Sequence, residues 1–225
     1  MNAVLTLTQS TIGKKVLMAS TGMLMVGFVS AHMVGNLQVF LGEEILDHYG
    51  ELIQSQVELL WIMRTSLIVI LVTHIASAIS LARTARAARS VGYQGGRTPQ
   101  AATLASRSLR WGGLALLLYI LFHLADLTVG AAWANPHYIK GEVYHNLTKS
   151  LQRPHIAALY AAANVALGMH LYHGVYSIFN TLGINQIGTR DTARQAGLFF
   201  ALFVAGGNML IVVAILTRFV GTVTP

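Results

Sequence analysis

Four histidines stand inside long apolar runs: His32, His74, His123 and His170. A fifth, His173, follows the last of them by three residues. An ionisable side chain in hydrocarbon is costly, so one kept there is by default a functional residue. A neutral imidazole carries one lone pair and one N–H. It can ligate a metal, pass a proton, or complete a hydrogen bond in a packed interior. One such histidine alone is as readily a packing residue or a relay member as a ligand. Four of them, one to a run, call for a common explanation, and their depths supply one.

The runs that position them are of membrane length. Roughly 15–41, 58–82, 110–130, 155–179 and 196–219 are dominated by apolar residues, and a span needs about 20. The chain of 225 residues is 54% hydrophobic and 10% charged, against about 25% charged in an ordinary soluble domain. The expected fold is all-α: a polytopic membrane protein with five transmembrane helices, folded as one domain over 1–225. The first four helices would form a bundle around the histidines. A net charge of +7 and a pI near 10.0 would suit a nucleic-acid binder. No basic, polar domain remains once the apolar runs are set aside, so nucleic acid is excluded and membrane lipid is the expected surrounding. The absence of cysteine excludes disulfides, thiolate chemistry and cysteine-held iron–sulfur clusters within this chain. Lys14 and Lys15 ahead of an apolar run resemble a signal peptide. The run from Val16 to Leu41 is too long for one, and Ala31-His32-Met33 is a poor cleavage context, so a retained span is expected.

Basic residues orient the spans. Lys14, Lys15, Arg83, Arg86, Arg89, Arg97, Arg107, Arg110, Arg190 and Arg194 fall on one side; Arg64, Lys140, Lys149, Arg153 and Arg218 fall on the other, ten against five. The excess of positive charge places the N-terminus in the cytoplasm and the C-terminus outside. In the first outer connection, Ile45, Leu46, Tyr49, Leu52 and Ile53 recur at helical spacing, which predicts a short interfacial helix. Gly92-Tyr93-Gln94-Gly95-Gly96 and Pro99 mark turns in the inner connection. Trp133, Tyr138 and Tyr144 in the second outer connection suit a membrane-surface belt.

The histidines then sort by depth. His32 lies 16 residues past Val16 and His123 lies 13 past Arg110, about 24 and 20 Å from the inner edge at 1.5 Å per residue. His74 lies 15 residues past Leu59 and His170 15 past His155, both about 22 Å from the outer edge. His32 and His123 thus share the outer level, and His74 and His170 the inner one. Two histidines at one depth on different helices suit the two axial positions of a haem, and bundles build cofactor sites from inward side chains. Two axial histidines leave no open position, which suits electron transfer. Two haem b groups, one per level, would lie about 12–16 Å apart along the membrane normal. His173 sits on a face neighbouring that of His170 and is an alternative ligand. Small residues Gly22, Gly27 and Gly168 are candidates to make room for a flat macrocycle, close helix packing being the plainer explanation. Lys15, Ser20, Arg83 and Arg110 are candidates to hold haem propionates, with Lys14, Thr21 and Arg107 nearby.

These stretches carry a family resemblance: Ser20-Thr21-Gly22 through His32-Met33, Arg110 through His123-Leu124, and His170-Leu171-Tyr172-His173-Gly174-Val175-Tyr176-Ser177. The chain resembles the cytochrome b anchor subunits of succinate:quinone oxidoreductases and fumarate reductases, in the single-chain, five-helix, two-haem branch. In the third stretch the family's ligand is followed four residues later by glycine, which matches His170 and Gly174 and implies His170 over His173. The resemblance implies a flavoprotein subunit that oxidises succinate and an iron–sulfur subunit docked on the cytoplasmic face. It further implies an exchangeable quinone, with menaquinone expected, residence in the cell inner membrane, and a complex able to form higher oligomers. Some relatives carry a glutamate two residues before the ligand; here that position is Gly168, so a proton-transfer role for it does not carry over.

Asn36, Glu51, Gln54 and His145 are the candidates for a quinone site at the outer level, the alternative location being the inner face beside the iron–sulfur subunit. The inner basic cluster Arg83, Arg86 and Arg89 is the candidate docking surface for the iron–sulfur subunit. Two other readings compete. A cytochrome b of another quinone-linked respiratory enzyme would crowd its ligands onto fewer helices. A haem-free proton-coupled transporter would carry paired acids in the membrane, where only Asp126 approaches the core.

Overall fold

A computed structural model of the chain describes residues 9–88, 104–184 and 190–221, with backbone alone at 104–110 and 190. Among them all regular structure is helical. The α-helices are α1 (Thr11–Asn36), α2 (Glu43–Ser55), α3 (Val57–Ala87), α4 (Leu104–Leu124), α5 (Val143–Leu151), α6 (Pro154–Thr181) and α7 (Arg190–Leu216). A 3₁₀ turn at Leu37–Leu41 follows α1, and a π turn at Ala125–Val129 follows α4.

Four stretches are long and apolar enough to cross a membrane: Thr11–Leu41, Val57–Ala87, Trp111–Val129 and Asp191–Leu216. They mark a membrane protein. The sequence reading counted a fifth at 155–179. The corresponding α6 has 28 residues, enough for about 42 Å, yet it does not belong to the apolar set. His155, Asn164, His170, Tyr172, His173 and Asn180 dilute its hydropathy. The packing explains that composition. α6 contacts α1, α4, α5 and α7, so Asn164 is buried and His170, Tyr172 and His173 are partly buried, while His155 and Asn180 near its ends are exposed.

Local sequence sets the helix ends. Ser10 caps α1, its hydroxyl accepting from the Gly13 N–H at 3.0 Å, which satisfies one of the donors left free in a first turn. Pro154 occupies the first turn of α6, where its missing N–H costs nothing. Gly130 closes the π turn with φ of 67°, a left-handed conformation that glycine adopts without strain. The Tyr138 ring lies where a Cβ at that glycine would point.

α1 packs on α3 and α6, and α4 packs on α6, so four long helices follow one another as α3, α1, α6, α4. α7 lies against α6 and α1. It approaches closely: a Cβ at Gly197 would sit 2.5 Å from the Tyr172 carbonyl oxygen, and one at Gly207 would strike the Met33 sulfur. Small residues allow such backbone contact between apolar helices. The expected interfacial helix is present as α2. The second connection holds a helix that periodicity did not indicate, α5, and the two pack on each other, with the Tyr144 N–H donating to Asp47 Oδ1 at 2.8 Å. Together they roof one end of the bundle. Leu46, Leu147, Leu151, Ile156, Tyr160 and Ile215 form the main core beneath that roof. Of the three aromatics expected in a belt, Trp133 is exposed; Tyr138 donates to the Thr128 carbonyl, and Tyr144 accepts from the Gly221 N–H.

Candidate functional site

The histidines meet in two pairs. The rings of His32 and His123 have centres 5.9 Å apart, and those of His74 and His170 are 6.3 Å apart, with planes inclined at 87° and 63°. The first pair joins α1 to α4 and the second joins α3 to α6. Neither helix pair packs on the other's backbone, because each lies across the order α3, α1, α6, α4. The imidazoles therefore reach toward each other over a diagonal of the bundle. His173 does not make this contact; the ring against His74 is that of His170.

Hydrogen bonds hold three of the four rings. His74 Nδ1 lies 3.2 Å from the Met18 carbonyl and 3.2 Å from Thr21 Oγ1, whose own proton goes to the Leu17 carbonyl at 2.7 Å. Both partners accept, so Nδ1 carries the proton and Nε2 keeps its lone pair. His123 Nδ1 lies 3.3 Å from the Tyr160 hydroxyl. At the same level Asn36 Nδ2 donates to His32 Nε2 at 3.2 Å, and Phe28 stacks on the His32 ring. His170 Nδ1 is buried with no hydrogen-bond partner among the described residues.

The arrangement fits axial ligation. With metal–nitrogen bonds of about 2 Å and about 1 Å from each nitrogen to its ring centre, two imidazoles on one metal stand about 6 Å apart. An unsatisfied buried nitrogen such as His170 Nδ1 costs about 1–3 kcal/mol. Gly27 lies between the two levels and a Cβ there would meet nothing within 4 Å. Gly22 lies beside the His74 ring, 3.4 Å from Cε1 to a Cβ built there. Gly168 does not share this position: its Cβ would point at Ala205 of α7, at 3.2 Å, so it serves helix packing.

The remaining candidates divide. Lys15 and Arg83 are exposed on α1 and α3, at the bundle end nearer His74. Ser20 is exposed and its hydroxyl forms no hydrogen bond among the described residues, while its neighbour Thr21 is buried against His74. The side chains of Arg107 and Arg110, Arg89, and the turn stretch 92–99 lie outside the described residues. Asn36 joins His32. Glu51 and Gln54 are exposed on α2 without a bond to it, and His145 instead lies 3.1 Å from the His137 carbonyl and 4.0 Å from Glu142.

One cluster was missed. Asp126, fully buried, accepts from Ser150 Oγ at 2.6 Å, from the Tyr160 hydroxyl at 2.7 Å and from Arg153 Nη2 at 3.3 Å. Arg153 also donates to the Ala134 carbonyl at 2.7 Å. In the sequence Arg153 counted only as an outer charge. The available signal was Asp126 itself, since a carboxylate beside a span requires a partner.

Comparison with models of protein families, with curated proteins and with solved structures finds no match for this chain.

Proposed function

We propose that this chain is the membrane-anchor cytochrome b of a succinate:quinone oxidoreductase, binding two haem b groups and relaying electrons from an iron–sulfur subunit to quinone. The observation that carries the reading is the pairing of His32 with His123 and of His74 with His170 across the bundle diagonals, at two levels. In this reading α6 is the fifth span, the N-terminus is cytoplasmic, and the membrane is the cell inner membrane. The flavoprotein and iron–sulfur subunits meet the end bearing Lys14, Lys15, Arg83 and Arg86.

Haem held by two imidazoles supplies a one-electron carrier with no open coordination position. The chain's own residues do the rest. Met18 and Thr21 hold the His74 proton on Nδ1 and leave Nε2 with its lone pair, and Tyr160 engages Nδ1 of His123. Such second partners set the tautomer and the basicity of a ligating histidine. His32 would hold the group through Nε2, the atom that now accepts from Asn36, and the Asn36 amide would then be free to donate elsewhere. Asn36 is then the donor placed to bind a quinone carbonyl at the roofed end, with Glu51, Gln54 and His145 as the further candidates there. Menaquinone is the expected quinone.

A reduced-minus-oxidised spectrum with a pyridine haemochrome count tests the reading. Two b haems per chain are expected. Their absence from chain expressed with haem supply overturns it and favours a haem-free role. Co-purification of a flavoprotein able to oxidise succinate separates this reading from other quinone-linked cytochromes b.

A further inference from the structure

The two histidine levels are pinned by different chemistry. At the inner level the acceptors for the His74 Nδ1 proton are neutral, the Met18 carbonyl and the Thr21 hydroxyl. At the roofed end the partner of His123 Nδ1 is Tyr160, whose hydroxyl lies 2.7 Å from Asp126 Oδ2. A phenol has one proton, and an ionised carboxylate can only accept. Asp126 accepts from Arg153 on Oδ1 and from Ser150, which reaches both oxygens. The Tyr160 proton is therefore committed to Asp126, and its oxygen can only accept from His123. That places the proton of His123 on Nδ1 and leaves Nε2 free. It also ends the chain of hydrogen bonds on an anion buried away from water.

We propose that Tyr160 is the positioning residue of His123: with Asp126 it selects the tautomer and raises the electron density of that imidazole. This rests on reading His32 and His123 as axial ligands. Successive hydrogen bonds polarise one another in a low-dielectric interior, and a more basic ligand favours the oxidised metal. The Tyr160–Asp126 pair therefore lowers the reduction potential of the haem at the roofed end relative to the same site without it. Arg153 moderates the field of Asp126 but contacts the oxygen that Tyr160 engages less closely, so the polarisation of the hydroxyl remains. The structural alternative is a clamp: Asp126, Ser150, Arg153 and Tyr160 tie α4, α5 and α6 together and would do so with no haem near.

Potential separates the two roles. The whole complex is purified with Tyr160→Phe, which keeps the packing and removes the acceptor. Its haems are titrated potentiometrically and examined by electron paramagnetic resonance. The component lost in His123→Ala identifies the roofed-end haem. In Y160F both haems should remain, with the potential of that component shifted upward, its low-spin signal altered and the other component unchanged. Asp126→Asn keeps the ring and neutralises the acceptor, and should shift the same component in the same direction; it carries the test if Y160F fails to assemble. Two bound haems with unmoved potentials in either variant, or a shift confined to the other component, overturns the proposal and leaves the clamp. A wild-type chain without haem overturns the ligand reading itself, a distinct result.

Discussion

If the diagonal pairs are axial pairs, removing either member of one pair must abolish the same spectral component. His32→Ala and His123→Ala should each delete the roofed-end haem, and the double variant should be no worse than either single one. His74→Ala and His170→Ala should likewise delete the other haem together. Alanine leaves one imidazole on each site, and a ligand ring centre about 3 Å from the metal cannot be replaced by its partner, which stands on the opposite side. The separation of the two levels follows from α6. Tyr160 bonds His123, and His170 lies ten residues further along the same helix, so the sites stand about 15 Å apart along the axis. Redox-resolved difference spectra of the four single variants test the pairing, and dipolar coupling between the two oxidised irons tests the distance. Loss of one and the same component in His74→Ala and His123→Ala would refute the pairing. An iron separation far from about 15 Å would refute the levels.

Three further outcomes follow from the packing. His173→Asn should leave both haems in place by pyridine haemochrome count, because the His170 ring, not the His173 ring, faces His74. Arg153→Met should destabilise the detergent-purified chain by about 3–5 kcal/mol in denaturant unfolding, since it leaves a fully buried carboxylate without its cation; Arg153→Lys should recover only part of this, because an ammonium cannot fork between Asp126 and the Ala134 carbonyl as a guanidinium does. Gly197→Leu should loosen α7, for even a Cβ would lie 2.5 Å from the Tyr172 carbonyl oxygen; a loss of about 1–3 kcal/mol is read in the same unfolding assay.

The depth of each histidine was legible in the sequence, because a helix rises by a constant 1.5 Å per residue and a span begins where the polar residues stop. The interfacial helix α2 was legible for a similar reason: a half-buried helix repeats its apolar residues at helical spacing. Depth says nothing of azimuth. Three residues separate His170 from His173, and only the packing of α6 against α1, α4 and α7 decides which one faces His74. The same packing turned Gly168 toward α7 and buried Asn164 and Tyr160 of α6. Of the Asp126 cluster the sequence showed the acid but not its partners. Its members come from a π turn, the last turn of α5, the N-cap of α6 and the second turn of α6, and they meet at residue separations of 24, 27 and 34. A carboxylate that cannot be solvated will find whatever donors the fold brings near it, and which donors those are is a property of tertiary structure alone.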